Sequence, residues 1–153
     1  GAPHSARSGN LTFMLGGPST LLEDWNPLFE CMGQQIHQLG ELGAGMSVKV
    51  LNNYVASSSV VTIRRVLEEC SRMKVSPEKL LEVMSESSGG TWFGNQFKVI
   101  DWAREGYSPD NTIGILEKDV NSFLKAIDKK PFPEDVLLLE RLRNLKAFDA
   151  EKE

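Results

Sequence analysis

Gly40-Glu-Leu-Gly-Ala-Gly-Met-Ser-Val-Lys-Val-Leu-Asn-Asn53 is the most informative stretch of this sequence. Its three glycines precede a long segment with apolar residues at helical spacing, and glycine adopts backbone angles that are closed to other residues. Lys49 and Asn53 are four residues apart, so a helix would place both on one face, with Asn52 beside them. An amine and a carboxamide that project together from the first turns of a helix could hold a small polar molecule.

Lys49 is also a candidate acid and base. Oxidation of an alcohol by hydride loss requires a group that takes the hydroxyl proton. A lysine with the ordinary pKa of about 10.4 is a poor base at neutral pH, and burial in a closed cleft would lower that pKa towards the useful range. Asn53 is neutral and can orient a hydroxyl without holding the lysine in its charged state. The alternative from local pattern alone is an ordinary exposed lysine at a helix start.

The same stretch resembles the signature Gly-x-x-Gly-x-Gly-x-x-x-Lys-x-x-Asn-Asn of the β-hydroxyacid dehydrogenases, the family of 3-hydroxyisobutyrate dehydrogenase and 6-phosphogluconate dehydrogenase. The resemblance implies that Lys49 is the catalytic acid and base. It also implies that Asn53, Asn52 and Gly45 bind the substrate. The implied substrate is a small β-hydroxy acid.

A second segment, Ile115-Leu-Glu-Lys-Asp-Val120, resembles the family's Leu-x-x-Lys-Asp-Leu motif. The resemblance implies that Lys118 reaches the nicotinamide cofactor, NAD or NADP, and that Asp119 fixes the local geometry of this cofactor site. Without the family, a Lys-Asp pair on a helix would be interpreted as facing solvent.

The resemblance implies a mainly α fold: a helical bundle of the 6-phosphogluconate dehydrogenase C-terminal type around one long helix. Residues 1–42 would be a remnant of the nucleotide-binding domain, with strands near 11–15 and 35–37, and residues 43–153 the helical domain. Gly1 to Ser5 either resembles the end of a strand in this family or is a cloning remnant. No Gly-x-Gly-x-x-Gly fingerprint occurs in the sequence, so we interpret the chain as lacking most of the cofactor-binding domain.

Apolar periodicity and capping residues predict the helices. Ser76 and Asn111 are the clearest predicted caps. We expect helices over about 20–32, 45–73, 78–85, 91–103, 112–129 and from 133 onwards. The predicted core of the long helix contains Val48, Leu51, Val55, Ile63, Val66, Leu67 and Cys70. That of the last helix contains Val136, Leu137, Leu139, Leu142, Leu145 and Phe148. A charged face of Arg64, Arg65, Glu68 and Glu69 is predicted to be solvated.

Composition excludes several classes of function. Hydrophobic residues make up 41% and charged residues 25%, which is typical of a globular protein rather than a membrane or disordered one. The net charge of −4 and the scattered basic residues argue against nucleic-acid binding, and no apolar run approaches a membrane span. With two histidines in the chain we expect no metal site. Cys31 and Cys70 are expected to be buried free thiols, which fits a cytoplasmic compartment.

These observations predict the C-terminal region of an NAD(P)-dependent β-hydroxyacid dehydrogenase. We expect little turnover from this chain alone, because it lacks the dinucleotide fingerprint. We also expect it to form homo-oligomers through the helical domain. The alternative is a non-catalytic helical oligomerisation module.

Overall fold

The computed structural model describes residues 3–148, apart from the side chains of Pro3, His4 and Leu21. Of the segment Gly1 to Ser5, interpreted above as a strand end or a cloning remnant, Gly1 and Ala2 lie outside the described residues. Pro3 to Ser5 belong to a short helix, so the strand-end interpretation is wrong for them. By internal packing the chain divides into two compact units, Gly1–Asn52 and Asn53–Glu153.

The first unit contains a parallel β-α-β arrangement. A short helix α1 (Pro3–Arg7) precedes strand β1 (Thr12–Leu15), helix α2 (Ser19–Glu30) and strand β2 (Gln35–Gln38). The two strands pair in parallel, with Phe13 opposite Ile36. A parallel pair needs a crossover connection, which α2 provides. Both predicted strands are confirmed.

Helix α3 (Ala44–Glu68) is the longest element and begins in the first unit and ends in the second. The predicted long helix is confirmed, but it ends at Glu68 rather than near Met73. The following residues form turns, in which the Val75 amide donates to the Cys70 carbonyl at 2.9 Å and Lys74 adopts φ +55°. These turns reverse the chain ahead of the next helix.

The second unit contains the part of α3 from Asn53 onwards and the helices that follow α3. Those helices are α4 (Pro77–Ser85), α5 (Trp92–Gln96), α6 (Thr112–Ile127) and α7 (Pro133–Arg143), with a 3-10 turn at Asp101–Arg104. Ser76 caps α4 by accepting from the Lys79 amide, and Asn111 caps α6 by accepting from the Gly114 amide at 3.2 Å. Both predicted caps are therefore confirmed.

The prediction of one helix over residues 91–103 is wrong. Helix α5 ends at Gln96, and the 3-10 turn follows after a break. The break brings the Phe93 ring to 5.4 Å from Trp102. Nine residues of straight helix would separate the two by about 13 Å along the axis, so they could not stack. Aromatic packing therefore overrides the local helical pattern.

The core of the second unit lies between α3 and the later helices. Its fully or nearly fully buried apolar residues include Val60, Ile63, Leu67, Phe93, Phe97, Ala103, Ile113, Val120, Leu138 and Leu142. Several predicted core positions are wrong, because Leu51, Val55, Val66, Val136 and Leu137 are exposed. On α7 the buried residues Leu138 and Leu142 are four apart, so the inward face is rotated from the predicted one. Cys70 is buried as predicted, whereas Cys31 is exposed.

Arg64 contradicts the prediction that the charged face of α3 is solvated. Its side chain is fully buried. One guanidinium nitrogen, Nη1, donates to the carbonyls of Ala103 and Glu105 at 3.0 and 2.9 Å, and Nη2 donates to the carbonyl of Lys146. The guanidinium also lies 5.5 Å from the centre of the Phe148 ring. Arg64 thus links α3 to the 3-10 turn and to the segment after α7.

Burial lowers the pKa of the Arg64 guanidinium, because removal from water disfavours its charged form. The neighbouring Arg65 behaves as predicted: its side chain is 54% exposed and forms an ion pair with Glu69, four residues later and just beyond the end of α3. Two adjacent arginines of α3 therefore have opposite environments. Among residues 3–148, no helix is long and apolar enough to cross a bilayer.

Candidate functional site

The three glycines around the start of α3 occupy positions where the backbone favours glycine. Gly40 and Gly43 have φ values of +105° and +96°, in the left-handed region that favours glycine. A Cβ atom on Gly45 would lie 2.1 Å from the carbonyl oxygen of Met14, at the end of β1. The glycine pattern is thus explained by a turn and by close packing of the first turn of α3 against that strand. A substrate contact at Gly45 remains a prediction.

Lys49 and Asn52 both lie on α3, and both are exposed. Asn53, at the next position, is half-buried. The helix contains the predicted spacing of four between Lys49 and Asn53. The Lys49 side chain faces solvent in this structure. A closed cleft around its amine therefore stays a prediction.

Asn53 meets one of the other predicted site residues. Its Nδ2 donates to Oδ2 of Asp119, on α6, at 2.9 Å. Asp119 is half-buried. A hydrogen bond to a charged acceptor is shorter and stronger than one between neutral groups. The structure therefore brings together two residues that the sequence indicated through separate motifs.

Ser57, one turn after Asn53, allows α3 and α6 to approach closely. It is fully buried, and its hydroxyl donates to the Asn53 carbonyl at 2.8 Å. The Leu116 carbonyl of α6 lies 3.4 Å from the same hydroxyl. A small hydroxyl-bearing residue both fits this contact and satisfies its own polar group. The two hydrogen bonds of Ser57 were not predicted.

Sequence reasoning also missed Tyr54 and its partner. The Tyr54 hydroxyl donates to Oδ1 of Asp135 at 2.6 Å, and the Tyr54 ring packs 4.2 Å from that of Phe123. Asp135 is buried, and its Oδ2 accepts from the amide of Phe132 at 2.7 Å. Burial and the bond to Asp135 raise the pKa of Tyr54 to about 12. The sequence signal was the acidic residue three positions after Phe132, which fits a helix-capping carboxylate.

Lys118 is exposed on α6, next to a carboxylate that is already bound. Oε2 of Glu117 accepts from the Tyr107 hydroxyl at 2.6 Å, and Oε1 accepts from Nε of Arg143 at 2.8 Å. The Tyr107 hydrogen bond and then Arg143 lower the pKa of Glu117, against the opposing effect of burial. The negative charges on both sides of Lys118 are therefore engaged with other residues.

The exposed face of α6 forms a recess of about 440 Å³. Its lining residues are Gly114, Glu117, Lys118, Asn121, Ser122 and Lys125. Because the Glu117 carboxylate is bound to Arg143, the two lysines give the recess a positive character. Among residues 3–148, no group of three or more His, Cys, Asp or Glu side chains could hold a metal ion.

Comparison with known protein families identifies the class of protein. Residues 43–139, more than half of the chain, match the family model described as NAD-binding of NADP-dependent 3-hydroxyisobutyrate dehydrogenase. Residues 1–40 match the NAD binding domain of 6-phosphogluconate dehydrogenase. The chain therefore belongs to the β-hydroxyacid dehydrogenase family, whose members are NAD(P)-dependent oxidoreductases.

Among curated proteins, the chain is similar to the mitochondrial 3-hydroxyisobutyrate dehydrogenase of Mus musculus. The two are 31% identical over 111 residues, which cover 72% of this chain and 33% of the mouse protein. The NAD-dependent L-serine dehydrogenase of Pseudomonas aeruginosa is 37% identical over 92 residues, covering 60% of this chain and 31% of that protein. The chain thus spans about a third of the length of these relatives.

A solved structure of 3-hydroxyisobutyrate dehydrogenase from Mycobacterium tuberculosis, with L-serine, shares the fold. The TM-score is 0.72 at 20% identity, over 95% of this chain and 55% of that one. The predicted fold class, mainly helical with a small β element, is confirmed, and the two strands of that element pair in parallel.

Proposed function

We propose that this chain supplies the substrate-binding and proton-transferring helices of an NAD(P)-dependent dehydrogenase of small β-hydroxy acids. The observation that carries the proposal is the Asn53–Asp119 hydrogen bond at 2.9 Å. It links the two motifs that carry the family resemblance. Asn53 and Asp119 are both half-buried where α3 and α6 meet, which supports a shared site for the two motifs.

In this proposal Lys49 exchanges the proton of the substrate hydroxyl at its Nζ atom. In the oxidation direction the neutral amine accepts that proton, and in the reduction direction the ammonium returns it. Asn53 orients the hydroxyl through its carboxamide, and Asn52 and Gly45 make further substrate contacts. Asp119 holds the Asn53 carboxamide in one orientation and is a positioning residue.

The donor groups of α6 suit an anionic nucleotide cofactor. NAD(P) supplies the hydride-accepting nicotinamide when bound. Lys118 and Lys125 line the recess of about 440 Å³ and offer two cationic donors to groups such as phosphates. Glu117 does not oppose this, because Tyr107 and Arg143 already bind its carboxylate. We propose Lys118 as the residue that would contact the cofactor.

Binding and turnover are tested separately. The two relatives above are named as dehydrogenases of 3-hydroxyisobutyrate and L-serine. We expect either compound to shift the signal of the Asn53 side-chain amide in a ¹⁵N-¹H NMR spectrum. The K49M variant should weaken this response, whereas K98M, at an exposed lysine of the second unit, should not. With NAD(P) added, we expect little NAD(P)H formation from this chain. The absence of any Asn53 response at millimolar substrate would contradict the proposal, as would turnover that K49M leaves intact.

A second candidate function is self-association through the helical unit. Val55 and Trp92 are 64% and 63% exposed, and Val55 lines a mostly apolar groove of about 360 Å³ that runs to Gly89 and Thr91. Exposed apolar surface of this kind favours association. Sedimentation velocity should show dimers or larger species that W92S weakens. A monomer at high concentration would contradict this candidate.

We further propose a reducing, cytoplasmic compartment. The two free thiols, Cys31 exposed and Cys70 buried, support it. The mouse relative is described as mitochondrial, so cell fractionation with an antibody to this chain is the relevant measurement. Recovery in the mitochondrial fraction would contradict a cytoplasmic location.

A further inference from the structure

Asn53 and Tyr54 are consecutive residues of α3 that bond to carboxylates on two different helices. Asn53 donates to Asp119 on α6 at 2.9 Å, and Tyr54 donates to Asp135 on α7 at 2.6 Å. Consecutive side chains of an α-helix project about 100° apart around its axis. Two such bonds at adjacent positions fix both the rotation and the lateral position of α3 at this point.

Asp135 is suited to hold α3 because its carboxylate is buried and satisfied on both oxygens. It is 3% exposed. An ionised carboxylate is only an acceptor, so a buried one requires donors from its surroundings. The Phe132 amide at 2.7 Å supplies one, within the first turn of α7. The Tyr54 hydroxyl supplies another, and it is the donor that comes from α3.

We propose that Tyr54 and Asp135 are positioning residues for the proposed substrate-binding Asn53. This inference rests on the function proposed above for Asn53. The Tyr54–Asp135 bond holds α3 at the residue after Asn53, so the Asn53 carboxamide meets Asp119 in a single geometry. Loss of the Tyr54 hydroxyl leaves the aromatic ring on Phe123 and removes the restraint, so the carboxamide samples more than one orientation.

The first test uses the protein without any ligand. The Asn53 side-chain amide is assigned by its disappearance in N53A and is then compared in wild type, Y54F and Y107F. We expect Y54F to shift or broaden this amide. Y107F removes a hydroxyl that also donates to a carboxylate at 2.6 Å, on Glu117, and should leave the Asn53 amide unchanged. D135N retains only part of the acceptor capacity of the carboxylate. We expect it to change the Asn53 amide signal less than Y54F does.

An unchanged Asn53 amide in folded Y54F would overturn the inference. So would an equal change in Y107F. Loss of the folded state in both Y54F and D135N would show that the pair holds the whole unit rather than Asn53, and would also overturn it.

The second test adds L-serine or 3-hydroxyisobutyrate as the probe. We expect Y54F to weaken binding of the probe about three- to tenfold, which is the change in affinity that the loss of one hydrogen bond typically causes. Weaker binding without a change in the ligand-free Asn53 amide would count against the positioning role. If wild type binds neither probe while the ligand-free amide still responds to Y54F, the proposed function fails and the positioning of Asn53 by Tyr54 stands.

Discussion

The carboxamide of Asn53 donates a hydrogen bond to Asp119, 66 positions later in the sequence, with 2.9 Å between nitrogen and oxygen. A carboxylate only accepts, so this bond assigns the donor end of the carboxamide to Asp119. The oxygen end of Asn53 therefore points away from Asp119. The bond thus gives Asn53 one defined orientation, which is what a residue that recognises a substrate hydroxyl needs.

The first prediction concerns the strength of this bond. In a double-mutant cycle of N53A and D119A we expect a coupling energy of about 1–2 kcal/mol, because the acceptor is charged and half-buried. Urea unfolding measures it. The control pair is Asn26 and Glu30 on α2, where an amide also donates to a carboxylate, at 2.6 Å, but in an exposed position. Its coupling should be below about 0.5 kcal/mol. Equal coupling in both pairs would contradict the importance of burial.

The second prediction compares the adjacent arginines of α3. R64M should lower the free energy of unfolding by about 2–4 kcal/mol, because three backbone carbonyls lose their buried donor. R65M removes a mostly exposed side chain paired with Glu69, and should change stability by less than about 0.5 kcal/mol. Denaturant unfolding of both variants tests this. Similar losses from the two would show that Arg64 is not the buried anchor described here.

The third prediction concerns Gly114 in the first turn of α6. Helix propensity alone would make alanine more stable than glycine by about 1 kcal/mol. A Cβ atom at Gly114, however, would lie 2.4 Å from the Ser108 carbonyl oxygen. We therefore expect G114A to destabilise the protein, by about 1–3 kcal/mol. The control is G89A, whose Cβ would meet only the flexible Met84 side chain, at 3.3 Å. Thermal melting that ranks G114A at or above wild type would refute the steric argument.

The fourth prediction concerns acid stability and Glu117. Its pKa lies below the ordinary value because Tyr107 and then Arg143 favour the charged form. The carboxylate therefore contributes stability above its unfolded pKa of about 4.3, and this contribution is lost as pH falls through the lower folded value. Urea unfolding between pH 7 and 3 should show a shallower acid loss in E117Q than in wild type. E140Q, which removes an exposed carboxylate of α7, is the charge-matched control. An identical slope for wild type and E117Q would contradict the prediction.

The fifth prediction concerns alkaline titration of the tyrosines. Burial and the bond to Asp135 raise the pKa of Tyr54 to about 12, above the ordinary value of about 10. The stability that Tyr54 contributes is therefore complete below about pH 10 and is lost as pH rises from 10 through 12. The chain has two tyrosines, so Y107F isolates Tyr54 for absorbance at 295 nm. A phenolate midpoint near 10 in the folded Y107F protein would contradict the geometry.

Much of the local structure followed from short-range patterns. Ser76 and Asn111 cap their helices as predicted, because a cap depends only on residues within one turn. The two strands and the start of the long helix α3 were also predicted correctly. Helix α5 was predicted too long, since the stacking of Phe93 on Trp102 is a contact between residues that no helical period brings together.

For the candidate site, the sequence indicated which residues to examine but not how they are held. Lys49, Asn53, Lys118 and Asp119 were selected from motifs alone. The Tyr54–Asp135 bond was not predicted, because its partners are 81 positions apart and an isolated tyrosine has no characteristic pattern. Charge spacing likewise could not separate Arg64 from Arg65, which share a helix and a residue type.

The sequence by itself determined the family, the helical architecture and the left-handed turns at Gly40 and Gly43, since these depend on residue types close together in the chain. Only the tertiary structure decided that Asn53 faces Asp119 and that Arg64 is buried against the carbonyls of distant segments. The physical reason is that a buried polar group must find its partner wherever packing places one. That partner is set by how helices pack against one another, which short-range sequence patterns do not encode.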